Sequence, residues 1–248
     1  MKLGIIGTGN IGATLVRKLS AVGHDVKVAN SRGPETIDPA LLSDGARAAT
    51  SEEAVRDVDA VILSTPFSAI AKLAPLIRAL PAEVVVIDTA NYYPHRDGEI
   101  AAIEQGLAES EWAAEQLGRP IAKAWNAITS QSFAAKGLPA GAADRIAIPV
   151  AADGDQERDV AMQLVDETGL DAVYSGTLAQ SWRQQPGAPA YCTDRSRDEL
   201  PAALDAADRA RLPARRDLAI AAIMERANGG AEEVTSEFLV RMSRALFV

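Results

Sequence analysis

Leu3-Gly4-Ile5-Ile6-Gly7-Thr8-Gly9-Asn10-Ile11-Gly12 decides how the rest of the chain is read. Leu3 to Ile6 suit a buried strand, and Gly7-Thr8-Gly9-Asn10-Ile11-Gly12 matches G-x-G-x-x-G. Ile11, Leu15, Leu19 and Val22 then fall on one face at helical spacing. A glycine-rich turn alone arises by chance. Placed between a strand and the opening of an amphipathic helix, it has the context of a dinucleotide-binding loop. In that reading Gly7 permits the tight turn, Gly9 admits the backbone to a pyrophosphate, and Gly12 lets helix and strand pack closely. Thr8, Asn10 and Ile11 sit at the helix N-terminus, where free N–H groups and a partial positive charge favour phosphate. The alternative is a structural turn that binds nothing.

Outward from this loop, short β-branched runs alternate with amphipathic stretches. Strands are expected over 26–29, 47–49, 60–63, 84–87, 121–124, 146–150 and 172–174, and helices near 52–56, 68–80, 100–116 and 156–168. The continuous apolar runs Ala60-Val61-Ile62-Leu63 and Val84-Val85-Val86-Ile87 suit strands covered on both faces. This alternation predicts an α/β fold: a Rossmann-type doubly wound, mostly parallel sheet with right-handed crossovers. After residue 177 the character changes. Gln184-Gln185-Pro186-Gly187-Ala188-Pro189 reads as a loop, and residues 198–248 read as helices that form a C-terminal cap or small lobe. Pro213 is expected to start one helix and Gly229-Gly230 to end it. The expected organisation is a dinucleotide-binding domain over 1–177 and a loop plus helical region over 178–248.

The second strand ends in Asn30-Ser31-Arg32-Gly33. An acidic residue here would bond the ribose 2′-hydroxyl of NAD. Asn30 removes that charge, and a hydroxyl beside a guanidinium suits a 2′-phosphate, so the cofactor expected is NADP(H). Ligands of open parallel sheets bind beyond the carboxyl ends of the strands. Ser64-Thr65-Pro66 and Asp88-Thr89-Ala90-Asn91 fall at two such ends: the backbone of the first could run over the cofactor, and Asp88, Thr89 and Asn91 are polar groups where a nicotinamide ribose or carboxamide would want partners. Asp88 is read either as a partner of that group or as a cap of its own turn.

These segments and Lys123-Ala124-Trp125-Asn126-Ala127-Ile128 occur in an order that resembles the NADPH-dependent reductases related to coenzyme F(420):NADP oxidoreductase. The reductase domain of the STEAP metalloreductases belongs to the same group. The resemblance covers roughly residues 1–182 and includes Pro149-Val150-Ala151-Ala152-Asp153-Gly154-Asp155. It implies hydride transfer from NADPH to a flavin or deazaflavin co-substrate. By matching positions it places Thr8, Ser31 and Arg32 on the adenosine and 2′-phosphate side, and Gly9, Asn10 and Ile11 on the pyrophosphate. Ser64, Thr65, Pro66, Ala90, Asn91 and Asn126–Ile128 fall on the nicotinamide side. From residue 181 onward the chain departs from that family, and the acceptor is not carried over with the cofactor.

Two other functions stay open: reduction of a small carbonyl or imine, and a non-catalytic NADP-binding sensor. A carbonyl acceptor needs a proton donor. Tyr92, Tyr93, His95, Lys123 and Tyr191 are the candidates, with His95 and His24 read as surface residues. Trp125, Trp182 and Tyr191 either wall an acceptor pocket or pack the cap on the sheet, and Trp112 reads as partly exposed packing.

Composition narrows the field. Of 248 residues, 25 are Lys or Arg and 34 Asp or Glu, a net charge of −9 that argues against a nucleic-acid partner. No apolar run approaches the ~20 residues of a bilayer span, and the opening residues read as a strand rather than a leader. A single cysteine, Cys192, forms no internal disulfide, which with the missing leader points to the cytoplasm. Cys192 has no neighbouring base to activate it as a nucleophile. Two histidines and one cysteine argue against a His/Cys metal site. The apolar C-terminal stretch 238–248 either packs on the body or forms a homodimer seam.

Overall fold

The structure, a computed structural model, describes residues 1–228, 230 and 234–247. Its strands are β1 (Lys2–Ile6), β2 (Asp25–Ala29), β3 (Arg47–Ala48), β4 (Ala60–Leu63), β5 (Val85–Asp88), β6 (Ala122–Lys123), β7 (Ala147–Ala152) and β8 (Asp171–Gly176). They form one sheet in the order β3-β2-β1-β4-β5-β6-β7-β8. Every neighbouring pair is parallel except β6 with β7. The chain order reverses between β1 and β4, which makes the crevice beyond their carboxyl ends the place for a ligand.

The helices between strands are α1 (Asn10–Ala21), α2 (Ser51–Ala54), α3 (Ile70–Arg78), α4 (Pro94–Asp97), α5 (Ala101–Glu104), α6 (Glu109–Leu117), α7 (Ser130–Ala135) and α8 (Asp155–Glu167). They cover both faces. Because successive strand residues point to opposite faces, Leu3, Ile5 and Ile62 join α1 and α8 in one core with Leu15, Leu19 and Leu164. Ile6, Val61, Leu63 and Val86 join Phe67, Ile70 and Leu117 in the other. All four residues of β4 are buried, as the continuous apolar run requires.

The stretch expected as one helix over 100–116 is two. Gly106 adopts φ +105, its N–H bonds the Ile103 carbonyl, and the Leu107 N–H bonds the Ala102 carbonyl. That is the paired hydrogen bonding of a glycine-terminated helix end. A new helix then starts at Glu109, with the Glu111 carboxylate accepting from the Ala108 N–H at 3.2 Å. Elements that were not expected include α4, α7, capped by Thr129 Oγ1 accepting from Ser132 N, and a 3₁₀ segment over Leu178–Gln184.

After that segment come α9 (Leu200–Asp205), α10 (Leu212–Ala227) and α11 (Ser236–Leu246). Pro213 lies in the first turn of α10, where its missing N–H has no partner to lose. Gly229, expected at its end, lies outside the described residues, as does Val248. The apolar C-terminal helix packs on the body. Ser236 Oγ lies 2.7 Å from Ser132 Oγ, Arg244 Nε donates to the Thr193 carbonyl at 2.7 Å, and Arg215 donates to the Phe247 carbonyl at 2.7 Å. Among the described residues no helix is long and apolar enough to cross a membrane.

Candidate functional site

The glycine loop is built by close approach. Gly7 has φ +117, and a Cβ there would lie 2.0 Å from the Ser64 carbonyl oxygen. A Cβ on Gly12 would lie 2.1 Å from the Gly7 carbonyl oxygen. Gly9 is different: a Cβ there would meet nothing within 4 Å, so its freedom is not spent on packing. It faces an open cleft. Hydrogen bonds from Gly7 N to the Ala29 carbonyl (2.8 Å), Ser64 N to the Ile6 carbonyl (2.8 Å) and Thr89 N to the Leu63 carbonyl (3.0 Å) hold the loops side by side.

The first turn of α1 has no capping side chain and no acidic residue. Its N–H groups are therefore offered outward, with the positive end of the helix dipole behind them. Beyond β2, Asn30 Oδ1 accepts from the Arg32 N–H at 2.8 Å, and Asn30 Nδ2 donates to Thr36 Oγ1 at 2.9 Å. Asn30 thus shapes the turn that presents Ser31 and Arg32. Both are exposed, and Arg32 has no carboxylate at ion-pair distance among the described residues. Thr65 Oγ1 is buried without a hydrogen-bond partner.

One cleft of about 810 Å³ collects these parts. Gly7, Thr8, Gly9, Asn10 and Ile11 line it from the first loop, Asn30, Ser31 and Arg32 from the second. Ser64, Thr65 and Pro66 line it from the third, Ala90 and Asn91 from the fourth. The residues fit a dinucleotide: an unfilled glycine cradle, an uncapped helix N-terminus, an orphaned hydroxyl and an unpaired guanidinium. Tyr93, a candidate proton donor, also lines the cleft, as do Ser51, Lys72, Arg96 and Ser130, which were not expected there. Lys72 had a weak signal, a cation within two turns of Pro66 on a helix leaving a strand end.

Asn126 is a correction, since it does not reach the cleft. It is 2% exposed. Its Nδ2 donates to Asn91 Oδ1 at 3.1 Å and to the Gln184 carbonyl at 2.9 Å, while Asn91 Nδ2 donates to the Asn126 carbonyl at 2.9 Å. Asn126 therefore orients Asn91 from behind. Asp88 resolves likewise. It is fully buried, its Oδ1 accepts from Ala90 N at 3.0 Å and its Oδ2 from Lys123 Nζ at 2.6 Å. Lys123 Nζ also donates to the Ala90 carbonyl. Asp88 caps its own turn, and Lys123 is committed to an ion pair.

A second cavity of about 270 Å³ adjoins the cleft and shares Ile11, Asn91, Tyr93 and Ser130 with it. Ile220, Ile223, Leu239, Met242 and Phe247, from α10, α11 and the residue after α11, roof it, and Ile128 contributes from below. Its polar edge carries Tyr93 and Tyr191, whose Oη atoms lie 2.7 Å apart. Burial, with the nearby Cys192 thiol, pushes both phenols well above the usual tyrosine range. Burial pushes the Cys192 thiol up to about 12, so it is no nucleophile at neutral pH.

The other candidate residues fall elsewhere. Tyr92 is fully buried, with its Oη accepting from the Ile100 N–H at 2.9 Å. His95 is exposed and lines neither cavity. His24, read as a surface residue, is largely covered: its Nε2 lies 2.7 Å from Glu167 Oε2. Trp125 is 1% exposed and packed in the core, its Nε1 donating to Thr168 Oγ1 at 3.2 Å. Trp112 stacks on Phe67 at 5.0 Å. Trp182 lies under the Arg209 guanidinium beside a separate cavity of about 440 Å³. Of the three aromatics read as pocket walls, Tyr191 alone lines the cavity that meets the cleft. Glu109, beside the 440 Å³ cavity, is 2% exposed, and burial pushes its carboxyl up to about 7 although Lys123 and the Tyr92 N–H favour the charged form.

A mostly parallel, doubly wound sheet with this cleft at its switch point defines a Rossmann-type fold. Residues 2–92 match the model of the family described as NADP oxidoreductase, coenzyme F(420)-dependent. The protein YjhV of Escherichia coli is 45% identical over 80 residues, which are 31% of this chain and 58% of that protein. The chain thus spans little more than half the length of that curated relative. The hypothetical protein SMa0349 of Sinorhizobium meliloti superposes with a TM-score of 0.68 at 24% identity, covering 80% of this chain and 96% of that one. A candidate F(420)-dependent NADP reductase of Arthrobacter sp. FB24 superposes with a TM-score of 0.56 at 19% identity, covering 73% and 87%. Both share the fold.

Proposed function

We propose that the chain transfers hydride between NADP(H) and an organic acceptor held in the apolar cavity beneath α10 and α11. The observation that carries this reading is the junction of the two cavities at Ile11, Asn91, Tyr93 and Ser130. The cleft is dinucleotide-sized, and the second cavity lies near the lower end of small-molecule sites. A shared wall is what hydride transfer needs, because its main demand on the protein is to place two reacting carbons face to face.

In this reading the amides of Gly9, Asn10 and Ile11 hold the pyrophosphate, while Thr8, Ser31 and Arg32 hold the 2′-phosphate and adenosine side. Ser64, Thr65, Pro66, Ala90 and Asn91 line the nicotinamide side. NADPH, when bound, supplies the hydride. Asn126 and the Lys123–Asp88 pair fix the Asn91 and Ala90 end of the cleft. Pro186, Tyr191 and Cys192 with α10, α11 and Phe247 form the acceptor-side cover. A protein that works on NADP(H) with one buried free thiol suits the cytoplasm.

The resemblance to the F(420)-dependent reductases supports a flavin or deazaflavin ring as acceptor. The two phenols at the junction favour a small carbonyl or imine. Both readings are tested by mixing the protein anaerobically with NADPH and following absorbance at 340 nm against deazaflavin, FMN, a ferric chelate, ketones and imines. Decay with one acceptor is the expected result. Saturable NADPH binding without decay for any acceptor would overturn the enzymatic reading and favour a sensor.

A further inference from the structure

We propose that Tyr93 is the proton donor to a carbonyl oxygen in the apolar cavity and that Tyr191 is its positioning residue, which makes a small ketone or aldehyde the acceptor class. This rests on the acceptor site assigned above.

The argument is geometric. Tyr93 lines both the cofactor cleft and the apolar cavity, and its hydroxyl lies against that of Tyr191 on the cavity's lining. The other candidate acids are engaged or absent. Lys123 is buried against Asp88, the Tyr92 hydroxyl is held at the Ile100 N–H, and His95 lines neither cavity. Tyr191, 98 residues further along, places its Oη 2.7 Å from that of Tyr93. Two adjacent phenols share one proton between their oxygens, and the other proton is free. With Tyr191 as the donor in that contact, the Tyr93 proton is left for an acceptor. The walls from Ile128, Ile220, Leu239 and Met242 are aliphatic, and of the cavity's polar lining residues Asn91, Tyr93 and Ser130 alone also line the cleft, with the Asn91 amide held by Asn126.

The step balances. A C–H bond forms at the carbonyl carbon with the hydride pair, the C=O π bond breaks, and its electrons go to oxygen. The Tyr93 O–H bond breaks as the new alcohol O–H forms. The Tyr191 hydroxyl stabilises the phenolate until water entering through the cleft returns a proton. Burial holds both phenols above their usual range, yet an alkoxide is a stronger base than a phenolate, so the transfer runs downhill.

The test uses acetophenone and ethylbenzene, which differ by the carbonyl, titrated calorimetrically into the protein saturated with NADP⁺. Wild-type protein should bind the ketone roughly threefold to tenfold tighter. Tyr93→Phe should remove that discrimination and lower NADPH-dependent acetophenone reduction about 10²-fold or more. Tyr191→Phe should retain part of both, and a thermal melt shows that each variant folds. Equal binding of the two probes by wild-type protein, or discrimination retained in Tyr93→Phe, overturns the tyrosine assignment alone. Reduction of FMN or deazaflavin with no ketone turnover overturns it too, and leaves the hydride-transfer reading standing. Binding of neither probe refutes the cavity as the acceptor site.

Discussion

Lys123 Nζ stands 2.6 Å from Asp88 Oδ2, with the two side chains 1% and 0% exposed. Between them they hold both backbone groups of Ala90: Asp88 accepts from its N–H and Lys123 donates to its carbonyl. A buried pair contributes little net stability against apolar replacements, but removing one partner strands a charge. Lys123→Met should therefore destabilise the fold by about 3–5 kcal/mol. Lys123→Met with Asp88→Asn, which leaves an acceptor for Ala90 N, should recover a large part of that loss. Urea unfolding of the two variants checks it, and equal losses would show the pair to be uncoupled.

Gly9 and Gly12 separate binding from folding. A Cβ at Gly12 collides with backbone at 2.1 Å, whereas one at Gly9 meets nothing within 4 Å. Gly9 is also in extended backbone, φ −69 and ψ −179, open to any residue. Gly9→Ala should melt within a few degrees of wild type and lose most of its NADPH affinity. Gly12→Ala should lower the melting temperature sharply. Melting curves and NADPH fluorescence titrations measure both. A Gly9→Ala protein with unchanged NADPH affinity would remove the pyrophosphate from this loop.

In the proposed reading Arg32 sets the choice of cofactor. It is exposed and unpaired among the described residues, on a turn that Asn30 fixes through the Arg32 N–H. A charge-assisted hydrogen bond to a 2′-phosphate is worth about 1.5–3 kcal/mol. Arg32→Ala should thus weaken NADPH about tenfold or more and leave NADH almost unchanged. A constant NADPH/NADH affinity ratio would show that the 2′-phosphate lies elsewhere.

Glu109 gives the stability a pH signature. Burial raises its folded pKa to about 7 from an ordinary carboxylate value near 4.5. Between those values the folded state binds more protons than the unfolded one, so stability falls as pH rises through this window. The full effect is about 3 kcal/mol, complete above the folded pKa. In Glu109→Gln that decline should be absent between pH 5 and 7. Parallel declines in denaturant titrations of the two proteins would place the titration on another group.

Much of this was legible in the sequence, for reasons that can be named. The glycine loop, the Asn30-Ser31-Arg32 turn and the Ser64-Thr65-Pro66 turn each follow an apolar strand directly, so local pattern alone sets them at the carboxyl ends of β1, β2 and β4. Asn126 misled because it follows a strand end too, yet its side chain turns inward to Asn91 and Gln184. The break at Gly106 was within reach, since a glycine in the middle of a helical pattern is a termination signal. The apolar cavity was not. It exists only once α10 and α11 pack over Ile128 and Tyr93, and the Tyr93–Tyr191 contact spans 98 residues that no periodicity links.

The junction of cleft and cavity is tested most directly by filling the cavity and leaving the cleft intact. Ala219 is 6% exposed and lines the cavity but not the cleft. Ala219→Phe should be measured beside wild-type protein for NADPH affinity and for oxidation of NADPH at 340 nm with the best acceptor of the panel. The account predicts NADPH affinity within about twofold of wild type and turnover reduced at least tenfold, with the loss in KM for the acceptor. Undiminished turnover in a variant that binds NADPH normally would contradict it, since the acceptor would then be reduced outside this cavity.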